Sequence, residues 1–385
     1  MDKDTTRILM NLISAEIFSR PIGDIGETSE EDLNSLYKIS KKHDLSHILA
    51  SALESTSVLK PEYAVTEKFK KSLFTSIYRY EKSNFDLMGI CALFAAEGID
   101  HMPLKGAVIR SFYPKPYLRT SCDLDILVKE EDVERATALL VERLNYKPGK
   151  KEQHDISFFT PSGGHIELHF RLVEQGFKNS KILSEIWQSG EVKEVSPHRF
   201  EMTPEMFLFF HIYHTAKHFV HGGCGIKPFI DLWIIKNKIG YDEKKAETLL
   251  AEEGLIEFYK KAISLSEIWF DGEKHTPITK DMEDFVLGGG VYGNIEQQIA
   301  MSQSKKGGKF GHLLSRIFLP YKTMLVYYPS LSKCPLLFPF YQVRRWMKIF
   351  FRGGGRRAMN EVRLNQNLSQ TKQESAKRLL DELGL

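Results

Sequence analysis

PYLRTSCDLDILV, residues 116–128, sets two aspartates into a segment that otherwise reads as a buried strand. Leu124, Ile126, Leu127 and Val128 are apolar and partly β-branched, a composition that strands favour and that Asp interrupts. Side chains two apart on a strand share a face, so Asp123 and Asp125 are expected side by side. Adjacent carboxylates repel and raise each other's pKa unless a divalent metal or an Arg or Lys compensates them. The plain alternative is a strand end in water, where paired acids cost little.

A second strand supplies more of the same chemistry. In GHIELHFRL (164–172), His165, Glu167, His169 and Arg171 share one face, and Ile166, Leu168 and Phe170 share the other. If this strand neighbours the first, Asp123, Asp125 and Glu167 converge. Three carboxylates suit two oxygen-preferring divalent ions, Mg²⁺ or Mn²⁺. Such a pair clamps a triphosphate, aligns an attacking hydroxyl and stabilises leaving pyrophosphate.

Upstream, LKGAVIR (104–110) places a tight Lys105–Gly106 turn before a helix start. Backbone N–H groups at a helix start bind phosphate without help from side chains. Lys105 and Arg119 are candidate cationic contacts to the same phosphates. Taken singly, such residues are more often merely solvated; the order turn, helix, DxD strand, acid-bearing strand is what is specific.

That order resembles the nucleotidyltransferase superfamily with a DNA polymerase β-like catalytic core, in the branch known as uncharacterised nucleotidyltransferases. The residues carrying the resemblance are LKGAVIRSFYPKPYLRTSCDLDILV (104–128) and HIELHFRL (165–172). It implies an α+β fold, a nucleotidyltransferase-like mixed sheet with flanking helices, embedded between N-terminal and C-terminal helical regions. It implies metal roles for Asp123, Asp125 and Glu167 and the phosphate-binding turn for Gly106. Ala107 stands where the superfamily has Ser or Gly.

The flanks read as helical. LNSLYKISKKHDLSHILASAL (33–53) and KFKKSLFTSIYRYEKSNFDLMGICALFAAEG (68–98) have apolar residues at helical spacing, the second closing at Gly98. KEEDVERATALLVERL (129–144) reads as an amphipathic helix, and DISFFTP (155–161) as a strand joined to GHIELHFRL by a PSGG turn. From Thr203, an N-cap followed by Pro204 and Glu205, the helical pattern returns and continues to about residue 270. GGGVYGN (288–294) reads as a turn. The expected organisation is a helical region 1–98, a catalytic core 99–200, a helical domain 201–300 and a basic, aromatic region 301–385.

On the helix from Thr203, His211, His214, His218 and His221 share a face. A zinc site or proton-transfer patch is the sharper reading, and a packed polar face the better supported one. Lys217 and His218, with Lys227, are candidates for nucleotide or acceptor contact, because superfamily members often close their cleft with a helical domain.

Composition sets the remaining bounds. The 385 residues are 42% hydrophobic and 27% charged, ordinary for a soluble protein with two or three domains. Four scattered cysteines without a CxxC pair fit a reducing compartment, and neither a signal peptide nor a membrane span is expected, which points to the cytoplasm. Residues 301–360 carry twelve Lys and Arg and no acid; removing those twelve from the formal charge of +3 leaves −9 on the remainder. That asymmetry points to an anionic partner. The segment also holds eleven aromatics. These stack bases, or lie at an anionic membrane interface along FYQVRRWMKIFFRGG (340–354), or pack on the helical domain and leave the cations to line the approach to the site. Packing is the expectation, since prolines at 329, 335 and 339 interrupt a long interfacial helix.

The expected activity is metal-dependent transfer of a nucleoside monophosphate from an NTP to an acceptor hydroxyl (on protein, RNA or a small molecule), with pyrophosphate release. The alternative is a catalytically inactive nucleotide- or nucleic-acid-binding module on the same fold. Clustered acids favour the enzyme, because a pure phosphate binder gains nothing from concentrated negative charge.

Overall fold

A computed structural model of the chain describes residues 3–23, 25, 28–173, 177–305, 308–351 and 355–385. Two compact units result, one of Met1–His214 with Ile226–His275, the other of Thr215–Gly225 with Thr276–Leu385.

The first unit opens with α1 (Lys3–Phe18), α2 (Glu30–Lys42) and α3 (Ser46–Leu53). A capping box starts α2, Ser29 Oγ accepting from the Asp32 N–H and the Asp32 carboxylate from the Ser29 N–H. Asp44, at φ 55°, separates α2 from α3 within the stretch read as helical. Then comes α4 (Ala64–Ala96), 33 residues long and closed by Gly98 at φ 67°, a conformation glycine adopts without a Cβ penalty.

After α4 the side-chain period changes and a seven-stranded mixed sheet forms. Its strands are β1 (His101–Pro103), β2 (Leu124–Val128), β3 (Lys147–Lys151), β4 (Asp155–Phe159), β5 (His165–His169), β6 (Val192–Ser196) and β7 (Arg199–Met202). The order across the sheet is β3-β4-β5-β2-β1-β7-β6. β2 pairs parallel with β5, β1 parallel with β7, and the other pairs are antiparallel. Three short helices lie along this stretch: α5 (Gly106–Ile109), α6 (Val133–Glu142) and α7 (Lys181–Ser184). The β4–β5 hairpin through PSGG forms as the alternation predicts. β3 and β6 carried no such alternation, and the four residues RFEM of β7 are too short a run to stand out; β3 is KPGKK, exposed throughout, an edge strand blunted by lysines.

One face of the sheet is the core. Leu124, Ile126 and Val128 of β2 pack with Ile166 and Leu168 of β5 and with Ile156 and Phe158 of β4. Ile90 and Phe94 of α4 and Val133, Ala136 and Leu140 of α6 cover them. Burying each large side chain contributes about 1.5–3 kcal/mol. Alternation therefore sends Asp125, Glu167 and His169 to the opposite face, and hydrophobic burial on one side sets the register of the acids on the other.

Four further helices follow: α8 (Pro204–Val220), α9 (Lys227–Ile234), α10 (Glu243–Glu252) and α11 (Ile256–Asp271). Thr203 Oγ1 accepts from the Met206 N–H at 3.3 Å, the N-cap read from the sequence. α8 begins in the first unit and ends in the second.

The second unit adds α12 (Pro277–Gly289), α13 (Ile295–Lys305), α14 (Gly308–Ile317), α15 (Tyr321–Tyr327), α16 (Phe338–Phe351), α17 (Gly355–Asn367) and α18 (Gln370–Glu382). GGGVYGN is a turn, as read. A Cβ on Gly293, at φ 71°, would fall 1.8 Å from the Gly222 carbonyl oxygen, so glycine there permits two backbones to touch. The expectation that the aromatics of 301–360 pack away holds only for some. Tyr321, Tyr328, Phe338 and Tyr341 are half-buried, whereas Phe310, Phe318, Tyr327, Phe340, Trp346 and Phe351 are exposed. The helices bearing the exposed rings are short and amphipathic. Lys306 and Arg352 of the basic segment lie outside the described residues. Among the described residues no helix is long and apolar enough to cross a membrane.

Candidate active site

The parallel pairing of β2 with β5 sets Asp125 opposite Glu167 and Leu127 opposite His169. Asp123, one residue ahead of β2, shares the face of Asp125. Potential ligand atoms of Asp123, His165 and Glu167 lie within 4.8 Å of one another, and so do those of Asp125, Glu167 and His169. Glu167 belongs to both groups. The convergence expected of the three acids is present.

The turn before them is strained. The Ala107 N–H donates to the Leu104 carbonyl at 3.0 Å, closing a reverse turn in which Lys105 has φ 46° and ψ −118°. This is backbone space that residues other than glycine rarely occupy, the kind of local strain that gathers at functional sites. The Leu104 N–H donates to the Asp125 carbonyl at 3.0 Å, tying the turn to β2. Lys105 then reaches Asp125, its Nζ donating to Oδ1 at 3.0 Å. A Cβ built on Gly106 would make only ordinary contacts of 3.5–3.7 Å with Ser121 and Arg119, so the protein itself does not require glycine there.

His169 Nε2 meets the same Asp125 oxygen at 2.8 Å and lies 3.4 Å from Glu167 Oε2. Burial pushes this imidazole down, but hydrogen bonds to Asp125 and Glu167 outweigh it and lift it to about 9. Burial likewise works against Asp125, and Lys105 and His169 together overcome it and hold the carboxyl well below its usual range. Asp123 goes the other way: burial first, then the charges of Asp125 and Glu167, push it up to about 6. Lys105 is raised, its burial outweighed by Asp125. The two aspartates thus differ, Asp125 locked as an anion and Asp123 responsive to charge placed beside it.

The donor set fits a hard divalent cation. Carboxylate oxygens from Asp123, Asp125 and Glu167 are the ligands Mg²⁺ and Mn²⁺ prefer, and the raised pKa of Asp123 marks a position short of positive charge. His169, hydrogen-bonded to Asp125, also belongs to the second of the two groups.

Arg119 borders the Lys105–Gly106 turn, its Nη1 3.7 Å from where a Cβ on Gly106 would stand. Arg119 grips Asp231 of α9, Nε at 2.8 Å from Oδ1 and Nη2 at 2.7 Å from Oδ2, while its Nη1 donates to the Thr120 carbonyl at 2.6 Å. The Tyr113 hydroxyl donates to Asp231 at 2.7 Å. Nearby, Lys227 Nζ donates to Asp44 at 2.7 Å and to Thr120 Oγ1 at 2.9 Å. Burial would raise Asp44, but Lys227 holds it at about 2. This buried network fastens the loop 113–121 that leads into Asp123. Lys217 and His218 end α8 in the second unit, where the His218 ring lies 6.2 Å from Tyr292. The histidines of α8 have separate occupations: His211 Nε2 meets the Pro228 carbonyl at 2.9 Å, and His221 Nδ1 the Lys217 carbonyl at 2.7 Å. Among the described residues they form no metal-binding group.

Sequence reasoning named His169 as a face-mate of Glu167 without giving it a role, and it passed over Asp155, Asp44 and Asp231. Asp155 is the Cα partner of His169 across the β4–β5 pair, and its carboxyl is raised by burial. Its signal was present: in DISFF, Asp155 and Ser157 alternate with Ile156 and Phe158.

A family described as uncharacterised nucleotidyltransferase matches residues 29–271, more than half of the chain and the whole of the acidic cluster. The chain belongs to that family. As a nucleotidyltransferase it carries the general activity the family's description states, and NTP is the substrate class that description implies. No curated protein matches this nucleotidyltransferase. Among solved structures, it is similar to the antibiotic-resistance factor ANT(2'')-Ia, at 14% identity, covering 45% of this chain and 91% of that one with a TM-score of 0.34.

Proposed function

We propose that this nucleotidyltransferase moves a nucleoside monophosphate from an NTP to an acceptor hydroxyl at the face formed by β2 and β5. The acceptor oxygen bonds to the α-phosphorus, the bond from that phosphorus to the oxygen bridging the β-phosphate breaks, the hydroxyl proton passes to Glu167, and pyrophosphate leaves. The observation that carries this reading is the Asp125–Glu167 register with the Lys105–Gly106 turn fastened to it, which gathers three carboxylates, a tight turn and a lysine. Asp123, Asp125 and Glu167 would hold Mg²⁺ or Mn²⁺, which would supply the positive charge that screens the triphosphate and stabilises the leaving group.

The residues divide the work. Lys105 and His169 keep Asp125 ionised and aimed, so this carboxylate costs no reorganisation when nucleotide arrives. The N–H groups of Ala107, Val108 and Ile109 close the turn onto the Leu104 and Lys105 carbonyls, so the phosphate contact here falls to the Lys105 side chain and to the backbone of the turn at Gly106 itself. Arg119 takes an anchoring role: committed to Asp231, it holds the loop that delivers Asp123. Four free thiols suit a reducing cytoplasm.

The test is incubation of the purified protein with each α-labelled NTP, Mg²⁺ or Mn²⁺, and cell lysate. Label is expected on an acceptor, dependent on the divalent ion and absent when the label is on the γ-phosphate. Failure of transfer with every NTP and both ions would overturn the proposal.

A further inference from the structure

The second unit carries an exposed apolar surface. Leu336, Phe340, Val343, Met347 and Phe351 are spaced four, three, four and four residues apart, one line along α16 and the turn before it. All five are exposed, from 50% for Val343 and Met347 to 89% for Leu336. Arg344 and Lys348, also exposed, follow the same line one position round the helix. The stripe continues onto α14. The Trp346 indole donates to the Ile317 carbonyl at 2.8 Å, and its ring meets Phe318 edge-on at 5.5 Å. Phe318 is itself 56% exposed, with Phe310 and Leu314 exposed behind it. A run of large apolar side chains on one face marks an interaction surface.

We propose that this face docks on the surface of a lipid bilayer containing anionic phospholipid, with α16 lying flat in the headgroup region. The stripe, about 22 Å long at 1.5 Å per residue, has the length and form of an interfacial helix and not of a spanning one. Charge supplies the complement: the exposed Arg344 and Lys348 flank the stripe, and residues 301–360 hold twelve cations and no acid. The make-up of the stripe excludes nucleic acid as the better fit. Leu336, Val343 and Met347 insert among acyl chains but offer no ring for a base to stack on. A second copy would set Arg344 and Lys348 against their own kind.

The test is cosedimentation of the full chain with vesicles of phosphatidylcholine alone and of phosphatidylcholine mixed with phosphatidylglycerol. Binding is expected to the mixed vesicles only, weakening as salt rises. Each cation near the surface is worth about fivefold, so Arg344→Gln with Lys348→Gln is expected to weaken binding roughly thirtyfold. Met347→Ser with Phe351→Ser is expected to abolish it with unchanged circular dichroism, because both residues are exposed. Divalent-dependent nucleotide binding, read in parallel, is expected unaltered in all these variants, which separates this surface from the acidic site. Three results would overturn the proposal. One is no binding to the mixed vesicles at low salt. Another is oligonucleotide binding that Trp346→Ser and Phe340→Ser remove and Val343→Ser and Met347→Ser do not. The last is self-association that the stripe variants abolish.

Discussion

His169 Nε2 donates to Asp125 Oδ1 over 2.8 Å, from an imidazole only 5% exposed. A pH dependence follows. The folded-state pKa, about 9, lies above the ordinary 6.5, so this contact stabilises the fold fully below about pH 6.5 and is lost as pH rises through 9. The shift corresponds to about 3 kcal/mol. Thermal melts in chelator are expected to show stability falling across that window in the wild type and a flatter profile in His169→Gln. Parallel profiles for the two proteins would place the imidazole outside the charge network.

Asp123 has the opposite linkage. Its folded-state pKa is raised to about 6, so its ionisation costs stability as pH climbs from about 4 through 6. Asp123→Asn removes that cost, and above pH 7 in chelator the variant is expected to be more stable than wild type, by on the order of 2 kcal/mol. It is also expected to lose the stabilisation that Mg²⁺ with NTP gives the wild type. A lower melting point with intact Mg²⁺·NTP binding would make Asp123 structural.

Lys105 allows the usual order of glycine and alanine to be reversed. At φ 46° and ψ −118° an alanine keeps the strain and a glycine relieves it. Lys105→Gly is expected to exceed Lys105→Ala in unfolding free energy by about 1–3 kcal/mol. Chemical denaturation of the pair reads this directly, and alanine as the more stable variant would deny that the turn is strained.

Arg119 and Asp231 separate anchoring from phosphate binding. Breaking a buried pair typically costs about 3–5 kcal/mol, so Asp231→Asn and Arg119→Gln are both expected to destabilise heavily. A mild loss of stability with a large loss of nucleotide affinity in Arg119→Gln alone would return the guanidinium to the phosphates.

Much of the site was legible because local alternation wrote it. CDLDILV and HIELHFRL each put apolar side chains on one face, so once the two strands lie side by side their acids must meet. What escaped depends on contacts distant in the chain. Arg119 finds Asp231 across 112 positions, and Lys227 finds Asp44 across 183, so neither pair leaves a spacing to read. The protonation of His169 follows from its burial beside Asp125, which alternation alone does not reveal. β3 and β6 are exposed edge strands whose residues carry no period of two. For the aromatics of 301–360 the prolines at 329, 335 and 339 do break the segment into short helices, but a short helix still exposes one face, as Phe340 and Phe351 of α16 show.

The central claim is that Asp123, Asp125 and Glu167 form one divalent-cation site that fills with nucleotide. Its most direct test is Mn²⁺ titration followed by electron paramagnetic resonance, with and without NTP, on the wild type and on Asp123→Asn, Asp125→Asn and Glu167→Gln. NTP is expected to tighten Mn²⁺ binding in the wild type. Each substitution is expected to weaken it at least tenfold, about 1.4 kcal/mol or more. Mn²⁺ affinity unchanged by all three substitutions would contradict the account.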